Sequence, residues 1–316
     1  MAYKPYDDEM IQALIDGDPR WGPVANQPRA QRKRFATALQ CENDTVQEAG
    51  MLGYQARILV QCSLPYRRQL VNEWTRRNGT MILTLWAPKD IGLPYGAYPR
   101  LLLSWVTTEA VRTKKRQLSL RDSLTRFMAD LGINRHATGP QMRRFKDQTR
   151  RLFNTTVHST VIDRQPQVGR IIHDIGFRLS SELHLWWDAW GTADDGTQIV
   201  LTEEFFHAIT DRPIPCDFRA LQVLKSSALA LDIYSWLVYR LGYLKKPTTI
   251  PWDLLQMQFG SNYANTKGGR YMFKKDFQEQ LQAVLQLYST AHVTADNQGV
   301  TLRPSRLHIT RKKPKS

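Results

Sequence analysis

One order of elements occurs twice in this chain, and it restricts the fold more than any other feature. "YPRLLLSWVTTEAVR" reads as a buried helix with Pro99 in its first turn. "LSLRDSLTRFMADLGI" reads as a second helix ending near Gly132, and "GPQMRRFKDQTRRLF" as a third, strongly basic one. "NTTVHSTVIDRQ" and "GRIIHDIGFRLS" follow as strands. Further along the order returns. "DFRALQVLKSSALALDIYSWLVYRLGYL" is helical with Asp217 as N-cap, and "TIPWDLLQMQFG" is a short second helix ending near Gly260. "GGRYMFKKDFQEQLQAVLQLY" is the third, and "AHVTADNQGVTLRPSRLHI" is a hairpin that turns at "DNQG". Trp105 precedes Phe145 by 40 positions, and Trp236 precedes Phe277 by 41. Helix, helix, basic helix, hairpin is the order of a winged helix, and two copies predict a duplicated DNA-binding module.

Upstream, "GDPRWGPVANQPRAQRKRF" is turn-rich and leads into a short basic helix over Arg29–Leu39. "YQARILVQC" and "TMILTLWA" read as strands. The predicted fold class is therefore α+β and helix-rich, with two tandem winged-helix domains. The predicted divisions are an N-terminal extension at 1–52, domains at 53–210 and 211–310, and a basic tail at 311–316.

Charge narrows the partner. The 316 residues carry 44 Lys+Arg against 29 Asp+Glu, a net +15. From Arg212 to Ser316 there are 16 basic and 6 acidic residues, so +10 sits in one third of the chain. Such an excess predicts a polyanionic partner, nucleic acid before membrane.

Stepping 100° per residue along the last basic helix puts Phe273, Phe277, Leu281, Val284, Leu285 and Tyr288 in one stripe. Tyr271, Lys275, Gln278, Glu279, Gln282 and Gln286 fall opposite, Lys267 and Arg270 stand at the entrance, and Lys274 lies on the flank. A helix N-terminus already favours phosphate, and cations with amides there suit a major groove. Arg303 and Arg306 on the hairpin and the tail "RKKPKS" extend the basic surface.

In the first copy Met142, Phe145, Thr149, Leu152 and Phe153 form the inward stripe, with Arg143, Arg144, Asp147, Arg150 and Arg151 pointing away. Amides are scarce there, so these arginines suit phosphate clamping better than base reading. The plainer alternatives are a solvated face for the one helix, and pairing with a partner subunit's carboxylates for the other.

Chemistry finds little purchase in this sequence. There is no G-x-x-x-x-G-K-[ST] loop and no H-E-x-x-H, and the seven histidines include no H-x-H pair. "TADDG" reads as a turn, Thr202 as a helix cap, and "HLWWDAWG" as an interface anchor. No catalytic residue, metal or cofactor is expected. Cys41, Cys62 and Cys216 form no C-x-x-C motif, which fits a reducing cytoplasmic compartment. The acidic N-terminus lacks the apolar segment of a signal peptide, and no run approaches the ~18 apolar residues of a membrane span.

Several long stretches carry a family likeness. "LPYGAYPRLLLSWVTTEAVRTKKRQLSLRDSLTRFMADLGI", "GPQMRRFKDQTRRLF", "IPCDFRALQVLKSSALALDIYSWLVYRLGYL" and "IPWDLLQMQFGSNY" strongly resemble the plasmid-encoded RepA replication initiators. The resemblance covers about residues 55–310 and leaves the first 50 without a likeness. It implies a cytoplasmic bacterial protein of two tandem winged helices that binds repeated origin sites, the iterons. It also implies local duplex opening, recruitment of the host initiator and helicase, and homodimers that repress the protein's own gene. By position in the second winged helix it implies DNA contacts from Asn262 to Gln282, including Asn262 and Tyr263. It carries over no catalytic residue. A repressor of the same fold without an initiator role is the alternative reading.

Overall fold

The computed structural model describes residues 9–11, 26–119, 128–129, 139–165, 169–184 and 198–309. In chain order the first elements are α1 (Arg29–Asn43), β1 (Leu52–Gln55), α2 (Arg57–Gln61), β2 (Glu73–Asn78), β3 (Met81–Trp86), α3 (Ala97–Thr113) and β4 (Gln117–Ser119). Next come α4 (Gly139–Phe153), β5 (Thr156–Gln165), β6 (Gly169–Arg178), β7 (Ser180–His184), β8 (Gln198–Leu201), α5 (Glu203–Thr210) and β9 (Ile214–Asp217). Then follow α6 (Phe218–Leu224), α7 (Ala228–Leu241), β10 (Thr248–Pro251), α8 (Trp252–Phe259), α9 (Lys267–Leu287), β11 (Val293–Ala295) and β12 (Gly299–Leu302). The fold is α+β and rich in helix. Most of the predicted helix "LSLRDSLTRFMADLGI", the stretch after His184 through "TADDG", and the tail "RKKPKS" lie outside the described residues.

Two compact units result. The first comprises Tyr54–Ile214 and Asp253–Phe273. Its shaft is α3, buried almost all round from Pro99 to Thr108, as an apolar helix without a polar face must be. Phe145 of α4 meets Tyr98 edge-on at 6.0 Å. Strands β2-β3-β5-β6 form an antiparallel sheet in that order. The period-two pattern of β3 turns Met81, Leu83 and Leu85 inward. A second sheet runs β4-β8-β7, with Leu118 opposite Ile199.

The second unit comprises Met1–Gly53, Pro215–Trp252 and Lys274–Ser316. Here α7 buries Ile233, Tyr234, Trp236 and Leu237. Phe277 stands edge-on to Trp236 at 6.3 Å and to Trp252 at 5.8 Å. The sheet order is β10-β12-β11. Helix α1 belongs to this unit: Arg34 Nε donates to Gln286 Oε1 at 2.8 Å, and Arg219 reaches the carbonyl of Gln40 at 3.0 Å.

The two three-stranded sheets share one order, in which the first strand pairs with the third and the third with the second. This corrects one expectation. The hairpin directly after α4 is not the counterpart of β11–β12, because its first strand pairs with β3 and its two ten-residue strands extend the other sheet. The counterparts are β7 and β8. Three smaller corrections follow from local chemistry. "YQARILVQC" is strand only to Gln55, and then turns into α2. The long helix from Phe218 is two helices, since Asp217 caps α6 through the amide of Arg219 and Ser227 caps α7 through that of Ala230. "LSL" begins as strand β4 rather than helix.

Candidate nucleic-acid interface

Helix α9 starts at a cap: Thr266 Oγ1 accepts the amide of Gly269 at 3.1 Å. From there its faces separate. Phe273, Phe277, Leu281, Val284, Leu287 and Tyr288 are buried, with Leu287 taking the place expected for the half-buried Leu285. Lys267, Arg270, Tyr271, Lys275 and Gln282 are exposed, and Gln278 is half-buried. The guanidinium of Arg270 is steadied at 3.3 Å by Asn265 Oδ1, in the loop ahead of the helix. Asn262 and Tyr263 in that loop are half-buried, and Tyr263 meets Phe273 edge-on at 5.5 Å.

Lys274, on the flank of the stripe and expected among the DNA contacts, is engaged within the fold. Its Nζ lies 5.4 Å from the centre of the Trp252 ring and donates to the carbonyl of Asn297 at 3.4 Å. Trp252 Nε1 in turn donates to the Asp296 carbonyl at 2.8 Å. Lys274 thus fastens the hairpin turn. Arg303, just past the end of β12, reaches across to Thr294 Oγ1 at 3.3 Å and remains exposed. Arg306 is exposed, while its carbonyl accepts from the hydroxyls of Tyr288 and Thr290.

On α4, Arg143, Arg144 and Arg150 face solvent. Among the described residues Arg150 makes a 3.9 Å approach to Asp90. Arg151 does not point away as the helical wheel predicted. Its Nε donates to Asp147 Oδ2 at 2.8 Å, its Nη1 reaches the Leu93 carbonyl at 3.4 Å, and 11% of the side chain is exposed. The nearby backbone carbonyl and carboxylate satisfy its donors better than water would at that depth. Beside Arg150 an open groove of about 650 Å³ is lined by Lys146, Asn154, Arg178, Ser180 and Ser181. The sequence did not single out Arg178 or the serines, because the end of β6 and the start of β7 meet α4 only through tertiary packing.

Metal chemistry finds one grouping among the described residues: Cys41, Asp217 and His308 offer donor atoms within 4.8 Å of one another. They do not fit a cation. Asp217 is committed to Arg219, whose Nη2 lies 2.7 Å from Oδ2 and whose Nε lies 3.1 Å from both oxygens. The Cys41 thiol donates to the same Oδ2 at 3.5 Å, and burial followed by the Asp217 charge pushes its pKa well up, against the thiolate a metal needs. His308 Nδ1 is shared with the Tyr234 hydroxyl at 2.9 Å. The grouping is a polar knot that ties α1, α6, α7 and the C-terminal segment together.

Residues 93–254 match the family described as plasmid encoded RepA protein, just over half of the chain. No curated protein matches the chain. Among solved structures, domains 2 and 3 of RctB share the fold at a TM-score of 0.50 and 12% identity, over 78% of this chain and 96% of that one. A second crystal structure of RctB domains 2–3 gives 0.47 at 13% identity, over 77% and 94%. The family match places the chain in the class of replication initiators. Within that class it belongs to the plasmid-encoded RepA family.

Proposed function

We propose that this protein binds iteron repeats at a plasmid origin, opens the adjacent duplex and acts without any enzymatic step of its own. The observation that carries this is the division of α9, one face buried to 2% or less and the other presenting Lys267, Tyr271, Lys275 and Gln282, with Arg270 exposed at the helix entrance. A helix anchored that firmly can hold a row of donors rigidly against base edges. The order α7, β10, α8, α9, β11, β12 supports a winged helix over residues 211–310, and the shared strand order supports a second at 53–210. Arg143, Arg144 and Arg150 set position by phosphate contact, and Arg270, Lys275 and Gln278 read bases. Binding of several copies to adjacent repeats offsets local melting by mass action. Homodimers, the host initiator and the host helicase are its partners by family likeness, and the compartment is the bacterial cytoplasm.

The test is footprinting on the DNA that flanks the gene, together with maintenance of a vector that lacks any other origin. Protection of several direct repeats and stable maintenance are expected. Protection of one inverted operator without maintenance would make the protein a repressor instead.

A further inference from the structure

The outward face of α9 is not wholly polar. Tyr271 is 67% exposed and Met272 45%. On the helical wheel Gly268 falls between them, one turn earlier. Its neighbour Gly269 has an internal reason to be glycine, because a Cβ there would lie 2.0 Å from the Ala264 carbonyl oxygen. Gly268 has none: its Cβ would meet nothing within 4 Å, and its φ is not in the left-handed region. Alanine would therefore fit this position in the first turn of the helix without a clash or backbone strain. With glycine there, the result is a shallow dent between two apolar side chains, on a face that also carries the exposed cations Lys267 and Lys275. The cations call for a polyanion. The dent and its apolar flanks call for an apolar knob on that polyanion, and in the major groove that knob is the 5-methyl group of thymine.

We infer that Gly268, Tyr271 and Met272 form an apolar reading surface for thymine methyl groups, with the duplex approaching closest at Gly268. This rests on the proposal that α9 reads DNA. It adds that part of the recognition is for shape and methyl groups, and that the repeats carry thymine under the first turns of the helix.

The experiment measures binding of the full chain to one origin repeat, with deoxyuridine replacing thymine at each position in turn. Loss of one methyl contact should weaken the wild-type protein about fourfold, the factor for one buried methyl group. Tyr271→Ala or Met272→Ala should bind the thymine and uracil forms alike. Gly268→Ala should melt no lower than wild type and bind the repeat more weakly. Equal affinity for uracil DNA at every position overturns the inference. So does full methyl sensitivity in both variants, or undiminished binding by Gly268→Ala. A wild-type protein with no preference for origin repeats over unrelated DNA would overturn the reading of α9 itself.

Discussion

The hydroxyl of Tyr234 on α7 stands 2.9 Å from Nδ1 of His308 and also accepts the amide of Asp217 at 3.0 Å. One phenol thereby holds the end of the described chain against the start of α6. Loss of water around the imidazole pulls the His308 pKa below its ordinary value, with the Asp217 charge opposing and that of Arg219 assisting. The folded state therefore resists protonation that the unfolded state accepts. Stability is full above about pH 6.5 and falls as pH drops toward the lower folded value, by at most ~1.4 kcal/mol per unit. Urea unfolding across this range should show the slope in the wild type and a shallower one in His308→Gln. Identical slopes would exclude His308 as the source.

Removing one member of the buried pair should cost far more than its net worth. The side chains of Arg219 and Asp217 are 1% and 3% exposed. Arg219→Met leaves a carboxylate in an apolar setting with only the Cys41 thiol, the amide of residue 219 and the helix end to satisfy it. A loss of ~3–5 kcal/mol is expected in chemical denaturation. The double change Arg219→Met with Asp217→Asn should recover part of that loss. If the single change proved neutral, the knot would not be a structural tie.

Adjacent arginines on α4 should separate by phenotype. Arg150 is exposed, so Arg150→Ala should leave the melting temperature within error and reduce the salt dependence of DNA affinity by roughly one ion. Arg151→Ala breaks contacts to Asp147 and Leu93 and should lower the melting temperature. Reversed results would restore the outward orientation of Arg151.

A similar contrast applies to α9. Arg270→Ala should weaken binding to origin repeats more than to unrelated DNA, because a good bidentate base contact is worth ~1–3 kcal/mol of discrimination. Lys274→Ala should leave that ratio unchanged and loosen the hairpin turn, seen as faster amide exchange around Asn297. Equal loss of discrimination in both variants would give Lys274 a reading role.

By itself the sequence determined the longer helices α3, α4, α7 and α9, the strands β3, β5 and β6, and the two-faced character of α9. Each rests on a period of 3.6 or 2 repeated over enough residues to be read locally, as in Phe273, Phe277, Leu281 and Val284. It also supplied the basic excess and the repeated order of elements. The three-residue β4 and four-residue β10 were not legible, because strands so short are specified by their partners β8 and β12 rather than by their own pattern. For the same reason the hairpin after α4 was matched to the wrong sheet. Tertiary structure alone decided which cations remain available: Arg151 and Lys274 were turned inward by Asp147, Leu93, Trp252 and Asn297, three of them far along the chain. A helical wheel gives the direction of a side chain, but the acceptors that claim its charge come from elsewhere in the fold.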